Sequence, residues 1–194
     1  MTYKTYISNK TKLIPPHGGY RNLKSYQMAE IVYDLTVVFT KKYIPFGSRT
    51  RDQMDQAGRS GKQNIAEASV DSGTSKKIEL KLIGIARGSL EELLQDYEDF
   101  LRQKNLRLWG KDDPGAKAVR ALAFAPNRSY KTYETYLESP ETAANCLICL
   151  IHQANFLLDR QLNSLQTEFL EKGGFTERLY DVRKKYKSYK SDKS

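Results

Sequence analysis

The sequence predicts an all-α protein, built as an up-down four-helix bundle with a long connection between the third and fourth helices and a short C-terminal extension. Four long segments carry apolar residues at spacings of three and four, and no segment alternates apolar and polar residues as a half-buried strand does. The chain has 194 residues, 39% of them hydrophobic, which suffices for one buried core. Its longest apolar run, 146–151, is far shorter than the ~18 residues of a membrane span.

The first helix is predicted over 22–43, between a Pro-Pro-His-Gly-Gly run and a stop at Pro45 and Gly47. Two apolar stripes share this helix. One includes Tyr26, Ala29, Val32 and Phe39, and the other includes Ile31, Leu35 and Val38. Because a bundle buries one stripe of a helix, the second stripe predicts either a subunit contact or the appended segment folding back over the helix.

The second helix, predicted over 48–70, carries small residues on its inward side. These residues recur about every fourth position: Ala57, Gly61, Ile65 and Ala68. A glycine inside a helix costs about 1 kcal/mol relative to alanine, and both Gly58 and Gly61 lie here. The stripe therefore predicts close packing against a neighbouring helix, which offsets that cost.

The remaining helix ends carry clear local signals. Thr74 or Ser75 is the predicted N-cap of a third helix that runs to about Arg102. Ser139, followed by proline and glutamate, opens a fourth helix that ends at a Gly-Gly pair at 173–174. The sequence thus divides into a basic N-terminal arm (1–21), a bundle (22–172) and a C-terminal suffix with a basic tail (173–194).

The connection over 105–138 differs from the helical segments around it. It is rich in glycine, proline and basic residues, and 115–125 predicts a short helix inside it. A connection of this length within a bundle is typical of a functional or inserted substructure. A further short helix is predicted over 175–190.

The net charge of +9 lies at the two ends of the chain. Residues 1–24 hold five basic residues and no acidic one, and residues 178–194 hold seven basic residues against two acidic ones. The stretch between them has a charge of −1. Such ends are typical of solvated tails, or of segments that contact nucleic acid or an anionic surface.

Basic and aromatic residues interleave in the C-terminal tail. Lysines displace counterions from phosphates, and tyrosine rings stack on unpaired bases. The candidate nucleic-acid contacts are therefore the tail residues Lys184, Lys185, Tyr186 and Lys187, followed by Arg120 and Arg128 from the connection.

Two segments carry a family resemblance: QAGRSGKQNIAEAS at 56–69 and IARGSLEEL at 85–93. They resemble the four-helix-bundle family of the 23S rRNA intervening-sequence proteins and the accessory variability determinant of diversity-generating retroelements. The stretches 139–161 and 173–180 resemble the subgroup with a C-terminal suffix. The resemblance implies a ring-like homopentamer.

The chain departs from the family pattern in two places. Ala68 replaces the family's glycine, which keeps a small residue, whereas Asp55 and Gln56 replace arginines that are common in relatives. Any nucleic-acid contact made by those arginines therefore does not carry over to this chain.

Four polar residues fall near predicted core positions of the second and third helices: Ser60, Asn64, Glu67 and Ser89. Buried polar groups are normally hydrogen-bonded, so we interpret them as a structural polar network. A catalytic carboxylate at Glu67 would need a second group beside it, and the sequence offers none.

A second cluster combines potential metal ligands, because Cys146, Cys149 and His152 recur every third residue on one helix. Zinc usually takes four ligands from two segments, so core packing is the preferred interpretation and we predict no metal or cofactor.

These observations lead to one leading hypothesis: a non-enzymatic oligomer that binds nucleic acid or a ribonucleoprotein partner through its basic arms. The alternative is a protein-interaction scaffold that holds a partner encoded nearby, using 105–138 and the suffix. Two cysteines and a polar N-terminus predict a cytoplasmic location and no membrane association.

Overall fold

The computed structural model describes residues 14, 16–126 and 128–191, and within this part of the chain it contains helices and no strands. The all-α prediction is therefore confirmed. No helix in the described residues is both long and apolar enough to cross a membrane. The α-helices are α1 (Lys24–Tyr43), α2 (Arg49–Asp71), α3 (Lys76–Gln103), α4 (Pro114–Ala121), α5 (Pro140–Lys172) and α6 (Phe175–Ser191). Short 3-10 helices span Tyr20–Asn22, Leu122–Phe124 and Tyr130–Glu138.

The predicted helix ends are formed by the predicted caps. The Ser75 side chain accepts a hydrogen bond from the Ile78 amide at 3.2 Å, which opens α3. Ser139 accepts one from the Thr142 amide at 3.1 Å, which opens α5. The helix α5 ends at Gly173, whose φ of +68° favours glycine.

The four long helices α1, α2, α3 and α5 contact one another in pairs around one core. Helix α1 packs on α2 and α5, and α3 packs on the same two helices. The centre is filled by large buried side chains that come from all four helices, including Leu35, Met54, Tyr97 and Leu147.

The contact between α2 and α3 depends on Gly61. A Cβ atom at this position would lie 2.7 Å from Leu90 Cδ2, closer than packed carbon atoms approach. At Gly58 the corresponding distances to Tyr33 and Leu93 are 3.4 to 3.6 Å, close to ordinary contact. The predicted close packing of α2 is therefore confirmed, and Gly61 is the position that requires it.

Most of both apolar stripes of α1 is buried within the same chain, although Val38 of the second stripe is only half-buried. Val32 and Leu35 are fully buried, and Ile31 is only 5% exposed. The 3-10 helix Tyr130–Glu138 packs on α1, where Lys42 Nζ and the Tyr43 hydroxyl donate to the Leu137 carbonyl at 2.7 and 2.6 Å. The chain's own connection therefore helps to cover α1, and the prediction of a subunit contact on this helix stays a prediction.

The connection is a packed part of the fold. Helix α4 contacts α5, and Tyr133 is fully buried. Asn145 of α5 fixes the start of the connection: its amide donates to the Arg107 carbonyl at 2.8 Å and accepts from the Trp109 amide at 2.7 Å. The short helix predicted over 115–125 occurs as α4 and the 3-10 helix that follows it.

The described end of the predicted N-terminal arm is attached to the body. The Gly18 amide donates to the Ser69 carbonyl at 2.8 Å, and the Tyr20 ring meets the Tyr26 ring edge-on at 4.7 Å. The other basic residues of this arm, Lys4, Lys10 and Lys12, lie outside the described residues.

Candidate nucleic-acid interface

The predicted tail contacts lie on α6. Lys184, Lys185 and Lys187 are exposed, and Tyr186 is 43% exposed. Within residues 16–126 and 128–191, none of the three lysines forms an ion pair with an acidic side chain. Lys184 and Lys187 share a helix side with Tyr180, which is 67% exposed. The helix therefore presents basic and aromatic groups together.

Local sequence explains why this basic segment is helical. Glu177 lies in the first turn of α6, and its carboxylate accepts a hydrogen bond from the Gly174 amide at 3.0 Å. An acid at a helix N-terminus stabilises the helix, as cations do towards the C-terminus. The order of charges along α6 agrees with this rule, because Glu177 and Asp181 precede all of its lysines.

Arg120 and Arg128 lie elsewhere, in a cleft of about 1110 Å³ between α1, α5 and the connection. Arg120 lies in the last turn of α4, and its Nη2 donates to the Lys111 carbonyl at 2.6 Å. No residue of α6 lines this cleft among the described residues. The six predicted contacts are thus divided between a helix and a cleft.

Arg128 is half-buried beside Tyr133, a more enclosed position than the sequence predicts for a phosphate contact. Burial raises the pKa of the Tyr133 hydroxyl, and the nearby Arg128 guanidinium opposes that shift. Arg128 Nη1 and the Tyr133 hydroxyl are both buried, and within residues 16–126 and 128–191 neither atom has a hydrogen-bond partner, so the two groups lie close without forming an aligned hydrogen bond.

The cleft also holds aromatic residues that sequence reasoning missed. Phe124 is 90% exposed, Phe156 is 61% exposed and Tyr130 is 36% exposed. The signal for Phe124 and Tyr130 was present: they lie close to Arg120 and Arg128 in the connection, as the tyrosines of the tail lie beside its lysines. Phe156 gave no such signal, because it falls within an apolar stretch of α5.

Two acidic residues line the α1 side of the cleft. Burial raises the pKa of the Asp34 carboxyl, with a further rise from Glu30 and an opposing effect from Lys62. Glu30 accepts a hydrogen bond from the Tyr26 hydroxyl at 3.2 Å. The negative charge of the cleft is therefore confined to one wall.

Three of the four residues assigned to a polar network lie together between α2 and α3. The Ser60 and Ser89 hydroxyls are 3.0 Å apart, and the Asn64 amide donates to the Ser60 carbonyl at 2.9 Å and to its hydroxyl at 3.1 Å. Because these groups satisfy one another, the cluster has the geometry of a structural contact.

Glu67 does not belong to this network. Its side chain is exposed and forms no hydrogen bond with the described residues. The physical reason is that Glu67 lies on the solvent side of α2, so its carboxylate stays hydrated instead of entering the contact with α3.

The cysteine-containing segment of α5 packs as its apolar surroundings predict. Cys146 is 1% exposed, and burial raises the pKa of its thiol. Cys149 is half-buried in the cleft wall, where burial also raises its thiol pKa, and His152 is exposed. Within the described residues no three potential ligands are grouped to hold a metal ion. Neither cysteine has the character of an activated nucleophile.

The geometry therefore comprises an exposed basic helix, a cleft that combines arginines with aromatic rings, and a satisfied polar contact between α2 and α3. No protein-family model matches the sequence, and no curated protein or solved structure matches it.

Proposed function

We propose that this protein binds single-stranded nucleic acid, with α6 contacting the phosphate backbone. The observation that carries the proposal is the set of exposed lysines at 184, 185 and 187, which face no acidic partner within the described residues. When such unpaired lysines neutralise phosphates, the nucleic acid releases the counterions that surrounded those phosphates, so binding weakens as the salt concentration rises. Tyr180 and Tyr186 add ring surface on which unpaired bases can stack.

We further propose that α1, α2, α3 and α5 form an up-down four-helix bundle that serves as the platform for this binding. Their pairwise contacts support the arrangement, because each of the four helices packs on two others. The resemblance of 56–69 and 85–93 to the intervening-sequence protein family supports the same arrangement.

We propose a binding role without catalysis. Glu67 is exposed and forms no hydrogen bond with the residues that the structure describes, while Ser60, Asn64 and Ser89 bond to one another. Assembly into a homopentamer and a cytoplasmic location stay predictions; light scattering tests the first.

The experiment is a fluorescence anisotropy titration with labelled single-stranded RNA and DNA at about 50 and 200 mM salt. We compare the wild type with a variant in which Lys184, Lys185 and Lys187 become glutamine. A second variant replaces three exposed lysines of the body, Lys41, Lys77 and Lys81, and so makes the same change in net charge.

The proposal expects the α6 variant to lose most of its affinity and the control variant to bind nearly as the wild type does. Equal binding by all three proteins would overturn the role of α6. Absence of binding by the wild type, together with a nuclease-resistant complex with another protein, would favour the scaffold alternative. Deleting 105–138 is unsuitable for that test, because Tyr133 and Leu137 are part of the buried core.

A further inference from the structure

The cleft between α1, α5 and the connection presents apolar rings to solvent. Phe124 and Phe156 are 90% and 61% exposed, whereas the phenylalanines at 39 and 100 are at most 8% exposed. Arg160 lies over the Phe156 ring at 5.9 Å, so this ring already faces a cation. Exposed rings beside cationic groups fit a ligand that has both an aromatic part and a negative charge.

The charges of the cleft are arranged asymmetrically. Its cationic lining residues are Arg21, Lys24, Arg120 and Arg128, and its acidic lining residues are Glu30 and Asp34. Both acids belong to α1, and among the described lining residues neither the connection nor α5 contributes an acid. An anionic group is therefore favoured near Arg120 and Arg128, on the wall away from α1.

The α5 wall carries an unused hydrogen-bonding group. Gln153 lines the cleft, and both polar atoms of its amide are buried without a hydrogen bond within the described residues. A carboxamide offers a donor and an acceptor side by side, as the edges of nucleobases do. If this side chain rotates into the cleft, a group bound there can supply the hydrogen-bond partners that the amide lacks.

We propose that this cleft binds one unpaired nucleotide of a nucleic-acid strand. The base stacks on the exposed rings and pairs with the Gln153 amide, and its phosphate lies against Arg120 and Arg128. The volume of about 1110 Å³ accommodates a nucleotide and leaves room for the strand to enter and leave. This inference rests on the proposed function, because α6 supplies the contacts to the rest of the strand.

The test compares two strands with the same phosphates. One is a labelled single strand of about 12 nucleotides, and the other is the same strand in abasic form. Base stacking in the cleft predicts that the wild type binds the base-bearing strand about tenfold more tightly. Backbone contacts alone predict equal binding of the two strands.

Matched variants separate the cleft from α6. Phe124→Ala should reduce the preference for the base-bearing strand to the part that Tyr180 and Tyr186 of α6 supply, whereas Phe46→Ala, at a phenylalanine that is 95% exposed outside the cleft, should retain the wild-type preference. A full wild-type preference in Phe124→Ala would assign the stacking to α6 and overturn the cleft inference. Because both rings are almost fully exposed, neither change removes buried packing. Arg120→Gln should weaken binding of both strands and reduce the salt slope by about 0.7.

Each remaining outcome decides one claim. If the wild type binds both strands equally and the α6 variant weakens both, the cleft inference and the base stacking on the α6 tyrosines fail, and the proposed contacts of α6 with the phosphate backbone stand. If the wild type binds neither strand, both claims fail. UMP and AMP serve as competitors. If either free nucleotide displaces the strand at a concentration near the Kd of the strand, the cleft binds free nucleotides, and the proposal that it binds a nucleotide within a strand is wrong.

Discussion

At the scale of single residues, the shape of one side chain decides how closely two helices approach. Gly61 faces Leu90 across the α2–α3 contact, where a Cβ would lie 2.7 and 2.9 Å from the leucine Cδ2 and Cγ. The absence of a side chain at Gly61 therefore allows Leu90 to fill the core.

Gly61→Ala should destabilise the protein by about 1–3 kcal/mol, because Leu90 must leave its rotamer or the helices must separate. Equilibrium denaturation in urea measures this change. Gly88→Ala is the matched control: this glycine is exposed on α3, and an added Cβ would meet nothing within 4 Å. The control should raise the free energy of unfolding by up to about 1 kcal/mol. A Gly61→Ala variant as stable as the wild type would show that the contact is looser than described.

At the scale of helices, the start of α5 depends on a side-chain cap. The Ser139 hydroxyl accepts the Thr142 amide, whereas Ser48 occupies the N-cap position of α2 without a side-chain cap bond. Ser139→Ala should therefore lower the free energy of unfolding by about 1 kcal/mol, and Ser48→Ala should lower it by less. Thermal and urea denaturation of both variants measure the difference. Equal losses would argue against a capping role for Ser139.

The beginning of α3 and the end of α5 are joined by an ion-pair cluster that makes stability depend on pH. Lys76 Nζ lies 2.9 Å from Glu79 and 3.0 Å from Glu168. The pKa of the Glu168 carboxyl is lowered, first by the hydrogen bond from Lys76 and then by the positive charges of Lys76 and Lys172. Burial of the carboxyl opposes this shift. Burial of the Lys76 ammonium lowers its pKa, but its hydrogen bonds to Glu79 and Glu168 and their negative charges raise the pKa by more, so the net shift is upward.

The sign of the pH effect follows from these directions. A carboxyl whose pKa is lower in the folded state stabilises the fold above its unfolded pKa, and this contribution is lost as pH falls through the folded pKa. Lys76→Met should cost about 1–3 kcal/mol near pH 6, because it leaves the buried Glu79 carboxylate without its partner as well as the partly exposed Glu168. The part of this cost that comes from Glu168 should shrink as pH falls below about 4.

Urea denaturation at several pH values measures that cost. Lys117→Met, which breaks a pair with the 89% exposed Asp112, serves as the control and should have a smaller effect. A Lys76→Met cost that stays constant down to pH 3 would contradict a role for Glu168.

Local sequence signals made much of this fold predictable, whereas the contacts between distant segments could not be predicted from the sequence. The caps at Ser75 and Ser139 lie within a few residues of the groups they bind, so the sequence predicts those helix ends. The cover over α1 comes from a segment about 100 residues away, whose Leu137 carbonyl meets Tyr43, and no periodicity within α1 indicates it. Asn145 was missed for the same reason, because its partners lie in the connection.

The candidate site was predictable to the same degree. The density of lysines between 184 and 187 follows from the sequence alone, and the structure places these residues on an exposed helix. Glu67 was assigned to the polar network on helical spacing alone, but spacing does not fix which side of α2 faces solvent at that position, and Glu67 is exposed. The aromatic lining of the cleft depends on how α5 and the connection meet, which the sequence does not encode locally.

At the scale of the whole molecule, the charge distribution separates a nearly neutral body from basic ends. Residues 25–177 carry a charge of −1, whereas α6 follows them with exposed lysines and an arginine at Arg183. The exposed lysines of α6 take no part in the packed core of the described residues. Substitutions of the α6 lysines should therefore change binding, whereas substitutions in the core should change folding stability.

The salt dependence of strand binding tests the central claim most directly. For the wild type, log Kobs should fall linearly with log[salt], because phosphate contacts release counterions. Replacing Lys184, Lys185 and Lys187 with glutamine should reduce the magnitude of that slope by about 2, since each contact to a single strand contributes about 0.7. An affinity independent of salt, or a slope that the triple replacement leaves unchanged, would contradict the claim that α6 holds nucleic acid.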